Sequence, residues 1–156
     1  MDQELRRIRG IASYQFGAGV GEALFPDDIE IEYSRRTTKI RFIYTGGALL
    51  AVLRPTDGMF TLSIAGAERL TTSNVAAGFT VTVLDDVSEV IAEGKNVMAK
   101  HVVDAGGSIH PGDEVIVVDS QSTVLAVGKA VLTRDEMHAF SYGVAVRTRR
   151  GRNRNR

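Results

Sequence analysis

Across residues 2–16 the apolar positions Leu5, Ile8, Ala12 and Phe16 recur every three or four residues with polar residues between them. That spacing predicts an amphipathic helix, with Asp2 placed to cap it. The period then drops to two: Ile29, Ile31 and Tyr33 alternate with Glu30 and Glu32, the pattern of a half-buried strand. Residues 40–44, 49–53 and 60–64 are predicted as further strands, separated by the turns Gly46-Gly47 and Pro55-Thr56-Asp57-Gly58. A short helix at residues 65–70 closes an α+β unit on one face of an antiparallel sheet.

Thr71-Thr72-Ser73-Asn74 is the best linker, and the pattern beyond it changes. Strands are predicted at residues 79–84, 98–103, 114–118, 123–131 and 143–149. The strand at 98–103 carries Lys100 and His101. Asp86 and Glu89 have the spacing of a helix-starting box, with Val87, Val90 and Ile91 facing inward and Gly94 as the stop. Thr133 and Glu136 repeat that spacing before a helix bearing Met137 and Phe140. The fold class is therefore α+β. Residues 1–74 form a small antiparallel-sheet α+β domain, residues 75–151 a β-barrel with two short helices, and residues 152–156 an arginine-rich mobile tail.

Composition narrows the function. No run approaches 18 apolar residues, and the first residues lack the layout of a signal peptide, so a cytoplasmic protein without a membrane span is expected. The absence of cysteine removes disulfides, thiolate nucleophiles and cysteine-held zinc. The formal net charge is zero, but its distribution is uneven. Residues 78–140 hold four basic and ten acidic residues, whereas residues 141–156 hold six arginines and no acid. A local basic field of that kind attracts phosphate.

Gly94-Lys95-Asn96, the stretch through Lys100 and His101, the turn Pro111-Gly112-Asp113 and the run Val115-Ile116-Val117-Val118 follow one another in an order that resembles the PUA domain, an RNA-binding module. The first half adds Arg9-Gly10-Ile11-Ala12-Ser13-Tyr14-Gln15-Phe16-Gly17, Gly21-Glu22-Ala23-Leu24-Phe25-Pro26 and Arg54-Pro55-Thr56-Asp57-Gly58. These are similar to the small domain preceding the PUA domain in the archaeosine tRNA-guanine transglycosylase family. The resemblance runs from about Arg9 to Gly151 and implies the tRNA-gripping C-terminal half of such an enzyme, from an archaeal source. That family exchanges bases in a separate (β/α)8 barrel with an aspartate pair and a largely cysteine-held zinc. Such a barrel needs ~250 residues, so a non-catalytic chain is expected, with no cofactor and no metal.

The resemblance places RNA at Gly94, Lys95, Asn96, Lys100 and His101, and near Arg147, Arg149 and Arg150 on or just after the last strand. Lysine offers phosphate a point charge, asparagine bonds phosphate or sugar oxygens, and arginine pairs bidentately or stacks on bases. From spacing alone, Gly94-Lys95-Asn96 reads equally as a glycine-stopped helix with a solvated loop, and His101 as a half-buried strand histidine. The arginines also read as a solubilising tail. Pro111-Gly112-Asp113 is read as structural, and Gly17-Ala18-Gly19-Val20-Gly21 as a flexible connection. Arg35, Arg36, Lys39 and Arg41 form a second basic patch, whose simplest reading is a soluble sheet edge.

Two functions follow. The first is binding of structured RNA, the tRNA acceptor stem above all, as the RNA-holding half of a split transglycosylase whose catalytic subunit is a separate chain. The second is a protein assembly or dimerisation module in tRNA or rRNA processing, which leaves a homo-oligomer open.

Overall fold

The computed structural model describes residues 3–153. The chain divides into two compact units, Met1–Val75 and Ala76–Arg156.

In the first unit, helix α1 (Gln3–Phe16) buries Leu5, Ile8 and Ala12 along one stripe. A second helix, α2 (Val20–Leu24), replaces the flexible connection expected there. Gly17 and Gly19 have φ of 123° and 83°, and a Cβ on Gly21 would sit 2.1 Å from the Arg9 carbonyl oxygen. The glycines therefore make a tight corner that presses α2 against α1. Arg9 reinforces the corner, donating to the Phe25 carbonyl at 2.8 and 2.6 Å.

Strands β1 (Ile29–Tyr33), β2 (Ile40–Thr45), β3 (Ala48–Leu53) and β4 (Phe60–Leu62) form an antiparallel sheet in that order. Helix α3 (Ile64–Thr72) starts at Ser63, whose Oγ accepts from the Gly66 N–H at 2.9 Å. It packs on β3 and β4. Gln15 covers the outer edge of β4, where its amide nitrogen donates to the Phe60 carbonyl (2.9 Å) and its amide oxygen accepts the Phe60 N–H (2.7 Å). The Arg54–Gly58 motif is a locked turn. Arg54 pairs with Asp57 at 3.2 and 2.7 Å, Asp57 accepts the Met59 N–H at 3.0 Å, and Gly58 has φ 71°.

In the second unit, β5 (Thr80–Val83), β6 (Val97–Met98), β7 (Val102–Ala105), β8 (Glu114–Val118), β9 (Val124–Ala130) and β10 (Val144–Gly151) lie in the order β6-β10-β9-β8-β5-β7. Strands β6 and β7 are neighbours in sequence but lie at opposite ends of that order. A sheet with such ends must curl until they meet, giving a nearly closed barrel. Helices α4 (Ser88–Ala92) and α5 (Arg134–Ala139) contribute Ile91 and Met137 to its core, with Val81, Val83, Val115, Val117 and Val146.

Several expectations are corrected here. The strand predicted at 98–103 is split by a 3-10 turn, Ala99–His101, because the chain changes partner from β10 to β5 at that point. Lys100 and His101 therefore sit on a turn. Asp86 caps nothing: α4 begins without a side-chain cap, while Asp85 accepts the Ser120 N–H (3.0 Å) and hydroxyl (2.7 Å). Val90, expected on the inner face of α4, is 48 % exposed, and Phe140, expected within the last helix, lies one residue past the end of α5 and is 45 % exposed. The Thr133–Glu136 box is present, with both reciprocal bonds. The Pro111-Gly112-Asp113 turn is structural: Gly112 has φ 95° and Asp113 accepts the His110 N–H at 2.8 Å.

Candidate nucleic-acid interface

Helix α4 ends in a left-handed glycine, Gly94 (φ 110°). The Gly94 N–H reaches the Ile91 carbonyl (2.9 Å) and the Lys95 N–H the Val90 carbonyl (3.2 Å), the paired bonds of a Schellman motif. The motif turns the chain sharply and leaves the Lys95 side chain in solvent. Asn96 has a different role. Its Oδ1 accepts the Thr148 N–H at 3.0 Å and fastens the loop to β10. β6 then pairs with β10, Val97 opposite Val146 and Met98 opposite Val144, before the 3-10 turn presents Lys100 to solvent and leaves His101 half-buried.

Strand β10 completes the surface. Val146 is buried, so Arg147 points outward, directly across from Lys129 on β9. The pairing then skips a residue: Thr148 faces Gly128 and Arg150 faces Val127, so Arg149 is the extra residue of a bulge. The bulge turns Arg149 onto Glu114, whose carboxylate accepts from both terminal nitrogens, one at 2.7 Å. Glu114 is buried with its side chain 1 % exposed, and Arg149 is its counter-charge. Two glycines permit this path. A Cβ on Gly128 would lie 2.3 Å from the Arg147 carbonyl oxygen, and one on Gly151 would lie 2.2 Å from that of Ala92.

The eight residues expected at the site thus divide by what the fold asks of them. Gly94 makes the turn, Asn96 the staple and Arg149 an ion pair with buried Glu114, while His101 is half-buried on the 3-10 turn. Lys95, Lys100, Arg147 and Arg150 are exposed cations with no ion pair among the described residues. The staple and the β6–β10 pairing bring the 94–96 loop and the 97–98 strand alongside β10. In the tail, the Arg152 N–H bonds the Leu125 carbonyl (2.8 Å) and the Asn153 N–H bonds the Ala92 carbonyl (2.9 Å), so these two residues are tied into the fold. Residues 154–156 lie outside the described residues.

Sequence reasoning missed Phe140 and Tyr142, 45 % and 81 % exposed, in the loop after α5. They line a mostly apolar hollow of about 360 Å³ with Leu132 and Val144. The Gly143 carbonyl in this loop accepts the Ala99 N–H at 2.9 Å, so the hollow adjoins the turn that carries Lys100. The available signal was two aromatics separated by one serine and followed by glycine, outside any helical period.

Among the described residues no group of three or more His, Cys, Asp or Glu could hold a metal, and no helix is long and apolar enough to cross a membrane. Exposed large apolar residues of the first unit are Tyr14 and Tyr33, and the Tyr33 hydroxyl donates to Glu4 at 2.5 Å.

The curled six-stranded sheet, its glycine-stopped helix and its basic last strand all lie within residues 79–152. Residues 79–152 match the PUA domain, and residues 6–75 match the patch-forming domain C2 of tRNA-guanine transglycosylase. The chain resembles the C-terminal part of archaeal tRNA-guanine(15) transglycosylases. The enzyme of Methanothermobacter thermautotrophicus is 42 % identical over 148 residues, 95 % of this chain and 23 % of that protein. The enzyme of Thermococcus kodakarensis is 42 % identical over 144 residues, 92 % of this chain and 24 % of that protein. The chain thus spans about a quarter of the length of these relatives. The fold also recurs in a conserved PUA domain protein from Thermoplasma acidophilum, with TM-score 0.72 and 22 % identity over 97 % of this chain and 90 % of that one. A hypothetical protein from Pyrococcus horikoshii has TM-score 0.76 and 20 % identity over 97 % of this chain and 91 % of that one.

Proposed function

We propose that this chain binds structured RNA in tRNA modification, and that its second domain holds the acceptor stem of tRNA. The observation that carries the reading is the set of unpaired cations Lys95, Lys100, Arg147 and Arg150, on a loop, a turn and a strand that hydrogen bonds tie together, in a chain similar to tRNA-guanine(15) transglycosylases. A-form RNA offers a shallow minor groove lined with 2′-hydroxyls and flanked by phosphates. Lysines on a rigid loop meet the phosphates, and the outward arginines of β10 extend the contact. Phe140 and Tyr142 suit the unpaired end, because an exposed ring stacks on any base.

In this reading the 156 residues hold RNA and do no chemistry. Base exchange belongs to a separate transglycosylase catalytic barrel that receives the positioned tRNA. Fluorescence anisotropy with an acceptor-stem minihelix tests the reading, using an intact or trimmed 3′ end and a DNA duplex of the same sequence as control. Tightest binding to the intact RNA, weaker binding to the trimmed one and weakest to DNA is expected. Equal affinity for all three would overturn acceptor-stem recognition.

A further inference from the structure

Helix α1 carries an outward stripe that its own domain leaves without a task. Opposite the buried Leu5, Ile8 and Ala12 stand Arg6, Gly10 and Tyr14, all three exposed. Their spacing of four residues makes them one continuous ridge along the helix. Tyr14 is 83 % exposed, although its motif neighbours Gln15 and Gly17 both serve the fold, one covering β4 and the other turning the chain. Arg6 has no ion pair among the described residues.

Gly10 is the informative member of the ridge. It lies inside a 14-residue helix, where glycine is the poorest former short of proline. At Gly21 and Gly66 a Cβ would strike backbone, 2.1 Å from the Arg9 carbonyl oxygen and 2.2 Å from that of Leu50. At Gly10 no atom lies within 4 Å of where a Cβ would sit, and its φ is not positive. The single chain therefore gains nothing from the missing side chain. A bare helix surface does permit close approach by a second backbone.

We infer that this stripe is a self-association surface, and that its occupant is α1 of a second copy crossing antiparallel at Gly10. The stripe is self-complementary: Arg6 and Tyr14 stand four residues either side of Gly10, about 12 Å apart along the axis. A two-fold axis through Gly10 sets each Arg6 guanidinium over the Tyr14 ring of the other copy, a cation–π contact made twice. The two Arg6 charges go to opposite ends of the contact. A parallel pair would set Arg6 against Arg6, so charge selects the antiparallel one. Ridges of this kind interlock at a crossing angle of about −50°, with axes about 8 Å apart where the residue at the crossing is small. The pairing closes at two copies. It uses neither the cations of β10 nor the 94–96 loop, so it stands apart from the RNA reading.

The test is sedimentation equilibrium of the full chain without RNA. Loadings run from about 5 to about 500 μM, because a contact of one helix per copy belongs to the small, weak class of interfaces. The weight-average mass is expected to climb with loading toward twice that of the single chain. Arg6→Glu, which removes the cation, and Tyr14→Lys, which sets an ammonium against the partner's guanidinium, are each expected to weaken association at least about tenfold. Mixed in equal amounts, the two variants are expected to regain it. The new carboxylate then faces the new ammonium at one end of the contact, and the native pair forms at the other. Gly10→Gln is expected to block association while melting no earlier than wild type. A wild-type mass that stays at one chain over the whole range would overturn the inference. So would Gly10→Gln associating like wild type, or a mixture of the two charge variants no more associated than either alone.

Discussion

The turn at Arg54–Gly58 and the loop at Gly94–Asn96 are both short, polar and built on a left-handed glycine, yet they treat their charges differently. In the turn, Arg54 lies on Asp57 and Asp57 on the Met59 N–H, so each charge closes the turn itself. In the loop, backbone bonds and Asn96 do the folding, and the Lys95 side chain stays in solvent. The same division recurs within β10, where Arg149 neutralises Glu114 while Arg147 and Arg150 face solvent. A charged residue in a recognisable motif becomes a binding candidate only once the demands of the fold have been subtracted.

The largest expected effect lies on the structural side of that division. Arg149→Ala leaves the buried Glu114 carboxylate without its counter-charge and should cost about 3 kcal/mol, read from the urea midpoint. Arg150→Ala should stay within about 0.5 kcal/mol of wild type. Equal midpoints for the two would erase the distinction. Next comes Tyr142→Ala, expected to weaken binding of RNA with an unpaired 3′ end about tenfold through lost stacking, with blunt-ended RNA unaffected. An equal loss on both RNAs would place the ring's role in the protein. Asn96→Ala removes one hydrogen bond of the loop staple and should lower stability by about 1 kcal/mol in thermal melts. A loss as large as that of Arg149→Ala would show the loop to be part of the core.

The smallest effect concerns acid. The Met59 N–H, and after it Arg54, hold the Asp57 carboxyl below its ordinary value of 3.8. A lowered pKa in the folded state means that the turn's contribution is complete above that value and fades as pH falls through the lowered one. Melting temperatures measured downward from about pH 5 should fall less steeply in Asp57→Asn than in wild type. An identical acid limb would show that the turn does not titrate with folding.

Most of the fold was legible because its cues are local and periodic. The spacing of Leu5, Ile8 and Ala12, the alternation at residues 29–33 and the Thr133–Glu136 box each fix an element without distant help. What stayed hidden depends on partners far along the chain. The glycines at 17–21 read as flexible because their close approach to Arg9 is not a sequence pattern. The break at Ala99–His101 arises from a change of strand partner, and the role of Arg149 from a bulge that aims it at Glu114, 35 residues away. At the site, Gly94 and Lys95 were legible from helix-stop chemistry. Phe140 reads as part of the helix because nothing local marks the helix end one residue before it.

The central claim is that the cations left over by the fold hold RNA. The most direct measurement is the affinity of an acceptor-stem minihelix for Lys95→Glu/Lys100→Glu at several salt concentrations, with the urea midpoint taken on the same samples. The account predicts binding at least about tenfold weaker and a salt slope lower by about two, at an unchanged midpoint. Wild-type affinity and slope in a folded double variant would contradict it.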